Sequence, residues 1–108
     1  MRGLLVLLGC LTLLHGPAFA AGDIEAGRKI MMGKCQVCHG KDGLATLPDA
    51  PNIAGQKADY LVRVLTAFKT GERQHPMMTV VAQELSEQDI ADVAAYYSAI
   101  KITVGPLP

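Results

Sequence analysis

What the 108-residue chain lacks narrows its chemistry first. Its charges balance, ten lysines and arginines against ten aspartates and glutamates, and no stretch gathers the basic residues into a run or interleaves them with aromatics. That leaves neither a nucleic-acid footprint nor a basic face for a membrane surface. Cysteine occurs three times, at Cys10, Cys35 and Cys38, so no second pair completes a four-ligand zinc site. No segment matches the strand pattern that would surround a thioredoxin-like redox pair. The longest apolar run, from Gly3 to Leu14, is too short to cross a bilayer comfortably.

That run fits a leader better. Met1-Arg2 is a minimal basic start, Gly16-Pro17 breaks the apolar stretch, and Ala18-Phe19-Ala20 has the small-x-small form of a cleavage site. Residues 1–20 are therefore expected to be a cleaved signal peptide and 21–108 a single small domain, exported to the periplasm and without a transmembrane segment. Leu7-Leu8-Gly9-Cys10 resembles a lipoprotein cleavage box, but Leu11 to Leu14 continue the apolar run beyond it. Cys10 is read as a filler discarded with the leader.

Against these absences stands one dense stretch, Cys35-Gln36-Val37-Cys38-His39. Two cysteines two residues apart with a histidine directly behind them form the attachment signature of a c-type haem. On one helical turn the two sulfurs reach adjacent vinyl groups, and the histidine lies under the iron as its proximal ligand. An oxidising compartment would otherwise join the thiols, so the pair must stay reduced until ligation. Export and haem attachment belong together.

The rest of the chain reads as helices and loops. Asp23 is a plausible N-cap for a first helix running to about Cys38, with Ile24, Gly27, Ile30, Met31 and Cys35 on one face. Gly27 inside it marks either a tolerated weak spot or a close helix crossing. Gly40 to Ala50 is a long loop that needs something beneath it to fill space, and a haem would do so. Pro51 follows, with a carbonyl available to the proximal imidazole. A second helix is expected from about Lys57 to Thr70, with Gly71 behind it. Its buried stripe is Tyr60, Leu61, Val64, Leu65 and Phe68, while Arg63, Lys69 and Glu72 face water. Tyr60 and Arg63 read equally well as haem-propionate partners or as a core tyrosine and a solvated arginine. Ser86-Glu87-Gln88-Asp89 opens a third helix with a capping box, and the tail from Thr103 is extended.

Gln74-His75-Pro76-Met77-Met78 is the second informative stretch. A thioether suits the sixth position of haem iron, and the other methionines beyond residue 20, Met31 and Met32, lie in the first helix. The residues alone leave Met77 and Met78 both open, one as ligand and one as filler. His75, beside Pro76, reads as an exposed loop histidine rather than a ligand.

Taken together, Cys35 to Gly40, Pro51 to Gln56, the Tyr60-Leu61 helix ending in Gly71-Glu72-Arg73, Met78, and Leu85-Ser86 leading to Tyr96-Tyr97 resemble the class I cytochromes c. The likeness extends over residues 23–101 and is strongest to the short bacterial members, including the repeated halves of periplasmic dihaem cytochromes. It implies an all-α cytochrome c fold, three main helices and long loops around one covalent haem c. It also implies Met78 rather than Met77 as the axial ligand, Pro51 as the residue orienting His39, and Gly27 crossing the last helix against Val93 and Tyr96. The activity implied is electron transfer to redox partner proteins rather than catalysis. The runner-up reading is the haem subunit of a flavocytochrome c sulfide dehydrogenase, which takes electrons from a flavoprotein partner. Partners are expected to dock on a mostly apolar rim that includes Val37, Leu47 and Met77.

Overall fold

The computed structural model describes residues 21–108. The expected leader and its Cys10 lie outside the described residues. Among those described, all regular structure is helical, in agreement with the all-α expectation.

Helix α1, Ile24–Ile30, starts where the Asp23 carboxylate accepts the Ala26 backbone N–H at 2.7 Å, which satisfies one of the orphan donors of the first turn. The helix was expected to continue unbroken to Cys38. It passes instead into a π turn, Met31–Cys35, and resumes as α2, Gln36–His39. A π turn inserts an extra residue and so shifts the phase of everything after it relative to α1. Met31, at the start of that turn, lies in the core with Leu61, Val93, Ala94 and Tyr97.

Helix α3, Ala58–Thr70, matches the expected second helix and ends at Gly71, which adopts the left-handed conformation (φ 79°) and donates its N–H to Phe68. Lys69 departs from expectation. Rather than facing water, its ammonium donates to the carbonyls of Gln83 and Leu85. Those carbonyls close α4, Met78–Gln83, a helix too short to leave a period in the sequence. Helix α5, Glu87–Ser98, begins with the expected capping box: Ser86 Oγ accepts the Asp89 N–H and the Asp89 carboxylate accepts the Ser86 N–H. Residues 101–108 carry no regular structure and are exposed.

Helix α5 is the element against which α1 and α3 pack. At the α1–α5 crossing a Cβ on Gly27 would lie 2.1 Å from the Asp92 carbonyl oxygen and 2.9 Å from Tyr96 Cβ. Only a residue without a side chain permits this approach. Tyr96 is the neighbour the resemblance implied, whereas the backbone contact is Asp92 rather than Val93. The buried Asp92 carboxylate also accepts the Asp23 N–H at 2.8 Å, tying the start of α1 to α5. The last turns of α5 hold the long loop. Tyr97 Oη donates to the Gly40 carbonyl, Tyr96 Oη donates to the Lys41 carbonyl, and the Gly55 N–H donates to the Tyr97 carbonyl. Burial pushes the Tyr97 phenol well above its ordinary pKa, with Cys35 adding to the rise, so it remains a donor.

Candidate cofactor site

Between α2, α3, α4, α5 and the 47–56 loop lies a cavity of about 410 Å³, within the size range of cofactor pockets. Its walls are mainly apolar: Leu61, Val64, Leu65 and Phe68 from α3, Val81 from α4, and Val93 and Ala94 from α5. The stripe read as buried on α3 is thus partly cavity wall, which is why Val64 and Leu65 are only half-buried.

Cys35, Cys38 and His39 line one side. His39 is 9 % exposed, and its Nδ1 sits 2.9 Å from the Pro51 carbonyl oxygen. Because that oxygen can only accept, Nδ1 carries the proton and Nε2 keeps its lone pair free to ligate. Burial pushes the Cys35 thiol up to about 11, against the opposing pull of Lys34. A thiol protonated at neutral pH lacks the thiolate character of a redox pair. Both cysteines are free.

Met78 and Met77 both line the cavity from α4 and the turn before it. Met78 is half-buried, whereas Met77 is 61 % exposed. Tyr60 reaches the cavity edge but is exposed rather than part of the buried stripe. Arg63 is not on the cavity; its guanidinium lies 3.3 Å from Asp59 and 5.8 Å from the Tyr60 ring centroid. The arginine that does line the cavity is Arg73, stacked 5.0 Å from the Phe68 centroid. Nothing in its spacing marked it, because it follows the helix stop at Gly71 and is placed by the chain's turn. Lys34, Asn52, Gln56 and His75 also line the cavity without having been singled out for it. Val37, Leu47 and Met77 are exposed.

The donor set fits a planar haem rather than a bare ion. Among the described residues no group of three or more His, Cys, Asp and Glu side chains converges as an ion site. The two thiols, the imidazole with its proton fixed and the thioether are instead distributed around one apolar slot.

Comparison with known proteins gives a consistent result. A family model described as cytochrome c matches residues 24–100. Cytochrome c-554(548) of Halomonas halodenitrificans is 46% identical over 82 residues, covering 73% of this chain and 98% of that protein. Cytochrome c4 of Pseudomonas aeruginosa is 42% identical over 105 residues, covering 97% of this chain and 52% of that protein. The crystal structure of reduced recombinant cytochrome c4 from Pseudomonas stutzeri superposes with a TM-score of 0.70 at 39% identity, covering 79% of this chain and 49% of the other. The chain thus spans about half the length of these cytochrome c4 relatives.

Proposed function

The chain belongs to the cytochrome c family, and from that premise we propose that it is a periplasmic electron carrier holding one haem c. The observation that carries the reading is the convergence of Cys35, Cys38, His39 and Met78 on one apolar cavity, with His39 Nδ1 committed to Pro51. When bound, the haem supplies reversible one-electron exchange at its iron.

What the chain contributes is position. Cys35 and Cys38 hold the group covalently through thioethers. Pro51 fixes the ring plane and tautomer of His39 and raises the basicity of Nε2. Met78, on the same cavity as His39, would supply a thioether donor to the iron, and a haem held by both side chains would exchange electrons rather than bind substrate. The apolar walls of α3 and α5 exclude water, which together with a thioether ligand favours the reduced state. Of the polar groups that line the cavity, Tyr60 and Arg73 would meet the propionates; Arg63 pairs with Asp59 along α3 instead. Redox partners dock on the exposed apolar rim of Val37, Leu47 and Met77. Residues 1–20 act as the export leader. Among the described residues no helix is long and apolar enough to cross a membrane.

The test is direct. Protein exported from a host competent in haem attachment should exceed the processed chain by the mass of one haem and keep its colour through acid–acetone extraction. Extractable haem would remove the reading. Copurification from the native cell separates the free carrier from the runner-up: a flavoprotein held in stoichiometric complex would make the chain a haem subunit of an oxidoreductase.

A further inference from the structure

Helix α4 has six residues, far fewer than a helix needs to persist by its own hydrogen bonds. Its ordering comes from its packing against α3, where Ala82 is fully buried, and from what holds its ends. The C-terminal end receives the Lys69 ammonium. The N-terminal end is organised by His75.

Helical hydrogen bonding begins there, with the Thr79 N–H donating to the His75 carbonyl at 3.0 Å. The imidazole Nδ1 of His75 accepts the backbone N–H groups of Met77 and Met78, at 3.2 and 3.3 Å. In return the His75 N–H donates to Thr79 Oγ1 at 2.9 Å. The two sets of bonds are reciprocal, as in a capping box, but they close the turn that leads into α4 and are made by an imidazole and a threonine four residues apart. Pro76 lies in the turn just before α4, where its missing N–H leaves no helical hydrogen bond unmade. The capping ring is itself seated, edge-on to Phe68 of α3 with centroids 6.5 Å apart, and Arg73 stacks on that same phenyl ring.

We propose that His75 is the positioning residue for Met78: its ring holds the Met78 backbone N–H and thereby fixes where the thioether enters the cavity. The proposal rests on the reading of Met78 as the iron's axial ligand. Its consequence is kinetic. Release of the thioether from iron requires the turn at Pro76–Met77 to move, and the His75 contacts resist that movement.

The experiment uses holoprotein and two readouts: the near-infrared sulfur-to-iron band, and the rate at which the ferric protein takes up added imidazole, which requires the thioether to leave. His75→Ala should raise that rate about five-fold, the equivalent of one lost helix cap. His75→Asn, whose side-chain oxygen can cap the same N–H groups, should return to within about two-fold of the parent. Thr79→Val, which removes the acceptor for the His75 N–H, should shift the rate in the same direction by less. Ser86→Ala removes the comparable cap of α5 and should lower the melting temperature without changing the rate. An unchanged rate in His75→Ala overturns the proposal, as does an equal rise in Ser86→Ala or a failure of Asn to restore. Met78→Ala separates the two readings. If it retains the sulfur-to-iron band, the ligand assignment itself is wrong. If it loses the band while His75→Ala leaves band and rate untouched, only the positioning role is wrong.

Discussion

The two walls that face each other across the haem cavity are built by opposite means. The attachment wall, from the π turn through His39, is anchored from several directions: Met31 in the core, His39 on Pro51, and the following loop residues on Tyr96 and Tyr97 of α5. The methionine wall is one short helix packed against α3, with Ala82 and the following Leu85 buried, and held further by His75, by Lys69 and by an ion pair between Lys34 and Glu84. The difference teaches that the site is not uniformly rigid. Its proximal side belongs to the main core, whereas its distal side rests on α3, with Ala82 buried beneath it, and is otherwise held by polar contacts that are mostly solvent-exposed and individually weak.

The sharpest way to break the comparison is to remove the group both walls share. A Cys35→Ala, Cys38→Ala variant should lose most helical signal and all cooperative melting, because the cavity walls would then face water and a domain this small has little other core. Native-like circular dichroism from that variant would mean the protein core alone suffices. Next in size is the distal ligand. Met78→Ala should abolish the sulfur-to-iron band and admit carbon monoxide, while Met77→Ala, at an exposed position, should leave the band in place; near-infrared spectra of the two variants decide it. On the proximal side, Gly27→Ala forces a methyl group into the Asp92 carbonyl and should destabilise by about 3 kcal/mol, the upper end for overpacking. Denaturant titration of the holoprotein checks this, and the sulfur-to-iron band should persist below the transition.

The smallest effect belongs to the ion pair on the methionine wall. Lys34 holds the Glu84 carboxyl below its usual 4.5. A group with a depressed folded pKa stabilises the fold above its unfolded pKa, and that stabilisation is lost as the pH falls through the lower folded value. The melting temperatures of parent and Glu84→Gln should therefore differ slightly at neutral pH and converge as the pH falls below 4.5. Added salt should also narrow the gap. A difference that grows on acidification would assign Glu84 another role.

The contrast between the walls also explains how far the sequence could be read. The attachment side carries its chemistry in consecutive residues, so Cys35, Cys38 and His39 were legible directly, and α3 announced itself through a long apolar stripe and Gly71. The π turn was not legible, because Ile24, Gly27, Met31 and Cys35 satisfy an ordinary helical period and the extra residue shows only against the fold. Helix α4 is too short for any period, and its cap is a histidine, which no rule of helix starts would select. Arg63 and Arg73 illustrate the same limit. The arginine on a helix drew notice through its spacing, yet the one at the cavity follows a helix stop and is aimed by the turn.

The hydrogen bond from the Asp23 N–H to the Asp92 carboxylate spans 69 residues, and its consequence concerns the order of events during folding. The Gly27 crossing and the loop contacts to Tyr96 and Tyr97 likewise join the beginning of the domain to its end. Contacts of such separation require loop closure before they return any energy, which makes them slow to form. In a chain synthesised from its N-terminus, the segment bearing Cys35 and Cys38 exists well before α5, its main partner. The attachment cysteines therefore spend a period on an open chain, and the arrival of the last helix closes the structure over them.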